Sequence, residues 1–370
     1  MERKRVGIAM SGGVDSTACA LLLQDRYEIS GFFMHLAQPD IARQKQRVQD
    51  IAARIGIELH IVDLSLQFEK KILAYFSGSY FDGTTPNPCM LCNREIKFGL
   101  FLETMLAAGM DCMATGHYAR VREMDGLFRL YKGVDPDKDQ SYFLARLTQG
   151  QLARVLFPLG DRKKEEAYAL AERYGFSDFR GIESQDICFL GQEGLGSYLE
   201  KRRPEGTLPG SIMTRDGRLL GQHKGLYRYT IGQRRGLGLP DATPWYVLAI
   251  QKEGNKIIAG KEEDLYRDCI GITNIHWLAD RPPLQETGYQ VRIRYSHRGA
   301  EATVTRITDT QYTITFRDKQ RAVTPGQFAV IYRNDEVIGC GEILAESLKT
   351  AGDHRNCILP VQKNGTPLVS

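Results

Sequence analysis

The apolar run Val6-Gly7-Ile8-Ala9-Met10 leads directly into Ser11-Gly12-Gly13-Val14-Asp15-Ser16 and on to Thr17-Ala18-Cys19-Ala20-Leu21-Leu22-Leu23. That order reads as a strand, a glycine turn and a helix start. Two adjacent glycines let the backbone turn with positive φ and approach an anion closely. Ser11, Ser16 and the first N–H groups of the helix, which have no partner within it, supply the donors. The segment is a phosphate cradle. It lacks the Lys-Ser/Thr ending of the Walker loop, so it is not the usual nucleotide clamp.

The first half of the chain continues the alternation. Ile29 to Met34 reads as a second strand. Val48, Ile51, Ala52 and Ile55 fall at helical spacing before Gly56, a natural stop; Leu59 to Val62 and Asp111 to Thr115 read as further strands. Helix follows strand, which predicts a parallel sheet covered on both faces. In such sheets ligands gather beyond the carboxyl ends of the strands, where Ser11 to Ser16, Met34 and Gly116-His117 would sit.

At 370 residues the chain exceeds what one core usually organises, so two or three domains are expected. Hydrophobic and charged contents of 42% and 25% are those of a soluble globular protein. No apolar run approaches the ~20 residues that span a bilayer, and the first residues lead into a strand and not a signal-peptide core; a cytoplasmic location is expected. Eight cysteines in that setting point to catalysis, metal binding or redox chemistry and not to a disulfide framework.

Around Leu199 the character changes. Lys201, Arg202, Arg203, Arg215, Arg218, Lys224, Arg228, Arg234 and Arg235 face only Glu205 and Asp216 as acidic neighbours, with Tyr227 and Tyr229 between them. The stretch reads as a polyanion-facing surface or as a solvated connector. Beyond Thr243 the apolar period is two: Trp245 to Ile250, Val291 to Tyr295, Thr303 to Ile307, Tyr312 to Phe316, Phe328 to Tyr332 and Val337-Ile338. Short strands with turn signals predict a small antiparallel barrel at the C-terminus.

Three cysteines stand out by their neighbours. Cys89 and Cys92 lie in Thr85-Pro86-Asn87-Pro88-Cys89-Met90-Leu91-Cys92-Asn93-Arg94, where two prolines hold an extended loop ahead of a helix starting at Glu95-Ile96-Lys97-Phe98. Cys188 lies in Gln185-Asp186-Ile187-Cys188-Phe189. A thiol near a helix start with Arg94 and Lys97 close by is expected to have a lowered pKa. A CxxC also reads as half a zinc site, although no second CxxC or HxxxH completes one, and Cys188 also reads as a small buried hydrophobe. Cys19, Cys112, Cys269, Cys340 and Cys357 read as packing or bystanders.

The phosphate loop resembles the SGGxDS loop of the PP-loop ATP pyrophosphatases. With it, the Pro-Asn-Pro-x-x-x-Cys-Asn-x-Glu-Ile-Lys-Phe stretch, Ala114 to Ala119, Lys138 to Leu144, Phe157-Pro158-Leu159-Gly160, Gln185 to Phe189, Tyr229 to Gly238 and Pro325-Gly326-Gln327 follow in an order similar to that of the bacterial tRNA-specific 2-thiouridylases. The resemblance implies an α/β fold: a parallel-sheet PP-loop (adenine nucleotide alpha hydrolase-like) catalytic domain over 1–200, a small basic central domain over 201–275 and a C-terminal antiparallel β-barrel over 276–370. It also implies a sulfurtransferase that adenylates O2 of the wobble uridine in tRNA and replaces it with sulfur, releasing AMP and pyrophosphate. ATP and Mg²⁺ are the implied cofactors. Ala9, Met10, Ser11, Gly12, Gly13, Val14, Asp15 and Ser16 would hold ATP with Met34 and Gly116, and Asp15 is the candidate Mg²⁺ contact. Cys188 would carry the incoming sulfur as a persulfide, and Cys92 would resolve it into a Cys92–Cys188 disulfide. Asn87, Pro88 and Cys89 match the base-contacting triplet for an extruded anticodon base, and His117 is a candidate to orient base or phosphate or else a structural histidine. Lys138, Asp139, Gln140, Arg294, Tyr295 and Gln327 match tRNA-contacting positions; Arg234 and Arg235 are added here from charge alone. The implied partners are tRNA and a persulfide donor, a cysteine desulfurase or a sulfur-relay protein, with no membrane.

One position departs from the pattern. Where many relatives carry an aspartate this chain has Cys89, so Cys89, Cys92 and Cys188 are also candidate ligands of a [4Fe-4S] cluster with one iron free for sulfide. Two other functions fit the phosphate loop: a PP-loop ligase that amidates a small molecule, which needs no paired thiols, and a non-catalytic RNA-binding module, which needs no intact Asp15-Ser16 loop.

Overall fold

The computed structural model describes residues 3–36, 40–177, 179, 187–190, 194–203, 208–279, 282 and 288–345. Gln185-Asp186, Cys357 and part of the basic stretch (204–207) lie outside them. Strands β1 (Arg5–Met10), β2 (Glu28–His35), β3 (Leu59–Asp63) and β4 (Cys112–Ala114) come first. The hairpin β5 (Ala119–Met124) and β6 (Leu127–Lys132) follows, then β7 (Val155–Leu156). The first sheet has the order β3-β2-β1-β4-β7, and every pairing in it is parallel.

Alternation along these strands divides the interior into two cores, because successive side chains of a strand point to opposite faces. Phe32 and Met113 pack with Phe68, Ile72, Phe98 and Met105 on one face. Phe33, Cys112 and Ala114 pack with Cys19, Leu21, Val48 and Ile51 on the other. The expected helix over Val48 to Ile55 runs over Ile41–Ile55 and ends at Gly56, whose φ of +81° and N–H bond to the Ala52 carbonyl make it a left-handed cap.

A central four-stranded sheet follows, built from β8 (Gly210–Met213), β9 (Leu219–His223), β10 (Tyr246–Gln251) and β11 (Lys256–Gly260) in the order β10-β11-β8-β9. The last six strands are β12 (Tyr266–Trp277), β13 (Tyr289–Arg292), β14 (Ala300–Arg306), β15 (Tyr312–Arg321), β16 (Phe328–Arg333) and β17 (Glu336–Ile343). They run β12-β15-β14-β13-β16-β17, and β17 pairs back to β12, so the antiparallel barrel closes. Closure leaves no free edge. The strand expected over Val291 to Tyr295 ends at Arg292, which leaves Arg294 and Tyr295 in the turn beyond it.

The β5–β6 hairpin was not anticipated. It leaves the catalytic sheet after β4 and joins the barrel where Tyr131 pairs with Glu336. Asp139 then ties the same region to the barrel through Arg292, 2.8 Å away.

Candidate active site

At the carboxyl end of β1, Gly12 has φ +81° and Gly13 caps the helix Val14–Leu23 without a side-chain bond. Ser16 Oγ accepts the Ser11 N–H at 3.2 Å and donates to the Gly13 carbonyl at 3.0 Å. Thr17 donates to that carbonyl as well, at 3.1 Å. These bonds hold the turn open around the first helical N–H groups, which stay available for an anion.

Asp15 does not stand alone in this loop. Lys164 Nζ donates to both its carboxylate oxygens, at 2.9 and 2.8 Å, and the Tyr118 hydroxyl donates to Oδ1 at 2.8 Å. Lys164 opens the helix Lys164–Arg173 and is nearly buried at 8% exposure, so its charge lies in a place with little water. Burial and the neighbouring Asp15 charge push the Tyr118 phenol far above its ordinary range, which keeps it a donor. Gly116 closes the arrangement. A Cβ there would come within 2.7 Å of the Asp15 backbone carbon, so only glycine lets this segment lie against the loop. Met34 lies half-buried near the end of β2, at the same edge of the sheet.

The next residue, His117, opens onto a second space. A pocket of about 280 Å³ is lined by Pro88, Cys89, Cys92, Lys97, His117 and Cys188 together with Phe68, Ile72, Asn93, Gln140, Phe143, Ile187 and Phe189. Its size is near the lower end of small-ligand pockets, roughly 300–1,000 Å³. The three singled-out thiols therefore line one pocket, together with His117, whose chain neighbour Gly116 abuts the phosphate loop. Among the described residues they are not gathered into a group of three ligands able to hold a metal ion.

The local chain explains the lining and corrects one expectation. The helix begins at Pro88, not Glu95, because the Asn87 side chain accepts the Met90 N–H at 3.3 Å and caps it. Cys89 sits in the first turn and Cys92 in the body, and the helix passes into widened π turns over Asn93–Phe101 that carry Asn93 and Lys97 into the pocket. Such turns recur at functional sites.

The expected lowering of the thiol pKa is reversed. Burial pushes Cys89 up to about 11 and Cys92 up to about 12, and the neighbouring thiols add to both; Lys97 pulls the other way without winning. Cys188 is raised for the same first reason. Arg94 contributes to neither member of the CxxC, since its guanidinium turns to Glu95 at 3.5 Å. Desolvation outweighs one nearby cation. His117 is held well below its ordinary value by burial and by Lys97, so it is neutral, with Nδ1 2.6 Å from the Thr115 hydroxyl.

The remaining expected contacts divide into three groups. Gln140, which accepts the Tyr118 N–H at 3.0 Å, lines the pocket. Tyr295 stacks on the lining residue Phe143 at 4.5 Å between ring centres, and Lys138 is close enough for its charge to act on that tyrosine. Others are turned inward. Asp139 is 5% exposed, paired with Arg292 and accepting the Gly133 and Ser141 N–H groups. Asn87 caps the thiol helix, and Arg294 donates to the Arg321 carbonyl at 3.2 Å. Gln327 reaches from the barrel to donate to the Thr85 and Pro86 carbonyls at 2.9 and 3.1 Å, which fixes the loop leading to Cys89. Arg234 and Arg235 are exposed on the central domain and do not line the pocket.

Lys164 was missed because it lies 149 positions from Asp15 and no pattern joins the two. Tyr118 lay inside a quoted motif without an assigned site role. Cys19, Cys112 and Cys340 are buried as expected. Cys269 is disulfide-bonded, against the expectation of a bystander. No helix among the described residues is long and apolar enough to cross a membrane.

Comparison with known proteins divides the chain in three. Residues 4–192 match the model of a tRNA methyl transferase HUP domain, 196–261 that of a tRNA methyl transferase PRC-barrel domain and 267–343 that of an aminomethyltransferase beta-barrel domain. Among similar proteins, the tRNA-specific 2-thiouridylase MnmA of Desulfotalea psychrophila is 48% identical over 93% of this chain and 100% of its own. That of Syntrophotalea carbinolica is 42% identical over 92% and 99%, and that of Geobacter metallireducens 41% over 92% and 97%.

Proposed function

The chain belongs to the tRNA-specific 2-thiouridylase family, and from that premise we propose that its phosphate loop and its thiol pocket are the two halves of one tRNA-uridine 2-sulfurtransferase site. The observation that carries this is the Gly116-His117 peptide: its first residue lies against Asp15 and its second lines the pocket of Cys89, Cys92 and Cys188. A base activated by ATP at the loop would meet sulfur in the adjoining pocket.

A uracil carbonyl oxygen leaves poorly, so attack by sulfur alone would return to starting material. Transfer of AMP to that oxygen makes it a good leaving group. Ser11, Ser16 and the helix N–H groups hold the phosphates while Lys164, beside Asp15, supplies the cation that the loop itself lacks. One carboxylate working with substrate phosphates suits Mg²⁺, which would be held by Asp15 and would neutralise phosphate charge. Asp15 would be the residue that holds the ion, with the Lys164 ammonium beside it.

In the pocket, Lys97 is placed to stabilise thiolate and persulfide, and neutral His117 can hydrogen-bond the base without adding charge. The terminal sulfur of a Cys188 persulfide attacks C2 and displaces AMP. Cys92 thiolate then attacks Cys188 Sγ, the bond to the outer sulfur breaks with its electron pair on that sulfur, and 2-thiouridine leaves beside a Cys92–Cys188 disulfide. The cycle uses thiols and disulfides alone; among the described residues no group of three ligands able to hold a metal ion is seen. The partners of the cycle are tRNA, a persulfide donor and a reductant. Lys138, Gln140 and Tyr295 at the pocket rim suit the tRNA loop; Arg234 and Arg235 suit its phosphates further out.

The test is nucleoside mass spectrometry after incubation of the protein with ATP, a persulfide donor and unmodified tRNA, with AMP and pyrophosphate counted in parallel. One 2-thiouridine per AMP is expected. AMP formation with no sulfur in the tRNA overturns the reading.

A further inference from the structure

Cys89 and Cys92 lie three residues apart in the helix Pro88–Cys92, and both line the pocket that also holds Cys188. Residues at that helical spacing are neighbours, with Cβ atoms about 5–6 Å apart. A disulfide asks for roughly 3.5–4.5 Å. A small adjustment in a first turn is enough to close that gap. Three thiols in one pocket are one more than the sulfur transfer described above uses. The extra one is adjacent to the pair that turnover oxidises.

Resting on that transfer, we propose that Cys89 is the third member of a thiol relay, which moves the disulfide from Cys92–Cys188 into Cys89–Cys92 and so frees Cys188 for the next sulfur. Cys89 thiolate attacks Cys92 Sγ. The bond from Cys92 to Cys188 breaks, and its electron pair leaves on Cys188 Sγ as a thiolate. One disulfide is consumed and one is formed, so the step needs no oxidant or reductant. An external dithiol later delivers two electrons and two protons to the Cys89–Cys92 pair.

The electrostatics favour this order of events. In the reduced protein the neighbouring Cys188 opposes ionisation of Cys89, while Lys97 favours it. Once Cys188 is tied in a disulfide its opposition is gone, while burial still raises the Cys89 pKa and Lys97 still lowers it. Cys89 thus becomes a better nucleophile when there is a disulfide to attack. The leaving thiolate on Cys188 is stabilised by the same Lys97. Cys188 is exposed, where a persulfide donor can reach it, whereas Cys89 and Cys92 are half-buried.

The test is a single turnover of persulfide-loaded full-length protein with ATP and tRNA, without added reductant, followed by acid quench, alkylation and non-reducing peptide mapping. The expected map of the wild type is a Cys89–Cys92 disulfide with alkylated Cys188. Cys89→Ser and Cys89→Ala are expected to lose that species and stop at Cys92–Cys188. A wild-type map holding only Cys92–Cys188, or a Cys89–Cys188 bond, overturns the relay while leaving the sulfur transfer intact. TRNA that gains sulfur with no cysteine disulfide formed overturns both, and the thiouridine assay on the same sample separates that result from the first.

Discussion

Lys164 Nζ bridges the two carboxylate oxygens of Asp15, at 2.9 and 2.8 Å, from the opposite end of the catalytic domain's sequence. The phosphate loop contains no lysine of its own, and this contact brings one to it. Lys164→Gln is therefore expected to lower the rate of AMP formation by about 10²-fold, the scale of removing one preorganised charge donor. Affinity for tRNA should change little if, as proposed, the loop takes the phosphates of ATP and not the RNA. Single-turnover AMP release and filter binding of tRNA measure the two. Equal losses in both would make Lys164 a folding element instead.

Gly116→Ala places a Cβ within 2.7 Å of the Asp15 backbone. Neither backbone segment can yield as a flexible side chain would, so the loop must shift. Overpacking of this kind costs about 1–3 kcal/mol. Loss of ATP binding by calorimetry is expected with the rest of the fold retained by circular dichroism. Normal nucleotide affinity in this variant would show that the two segments are not held together in solution.

Alkylation of the pocket thiols should rise with pH and reach no plateau by neutrality. Burial sets Cys89 at about 11 and Cys92 at about 12, so the thiolate fraction grows through the alkaline range. Lys97 lowers both values, so Lys97→Met should raise them, reduce thiolate at a given pH and slow alkylation. The linkage has the matching sign. A thiol whose folded pKa is raised contributes stability below its unfolded value, and that contribution is lost as pH rises toward the folded one. Iodoacetamide rates against pH, read peptide by peptide, check this; faster labelling in Lys97→Met contradicts it.

Asp139→Ala leaves the Arg292 guanidinium, 15% exposed, without its carboxylate. Breaking one partner from such a pair costs about 3–5 kcal/mol, whereas replacing both by apolar groups costs far less. Urea unfolding should show the single variant strongly destabilised and Asp139→Ala with Arg292→Met largely recovered. A direct tRNA contact at Asp139 would instead leave stability unchanged and weaken RNA binding.

The readable parts of this protein were those in which function is written locally. Ser11 to Ser16 follow β1 and precede a helix, so the turn, its donors and its place at the sheet edge all follow from adjacent residues. The period-two runs from Val291 onward showed barrel strands because alternation survives wherever one face is buried, whereas Trp245 to Ile250, read with them, belongs to the central sheet as β10. Less legible were features that depend on what surrounds a residue. Cys92 beside a lysine reads as an ionised thiol, and only its burial reverses that. Asp139 reads as a surface contact until Arg292 is seen across from it. The β5–β6 hairpin has no local sign that it will join strands formed two hundred positions later.

The amino-acid sequence by itself determined the glycine turn after β1, the succession of parallel sheet and barrel, and which three cysteines stand out by their neighbours. Tertiary structure alone decided that those cysteines share a pocket with Lys97, that Lys164 completes the loop at Asp15, and that Gln327 of the barrel fixes the segment leading to Cys89. The division has a physical basis. Turns, caps and strand periodicity depend on residues a few positions apart, whereas desolvation and charge pairing depend on distance in space between parts of the chain that folding brings together.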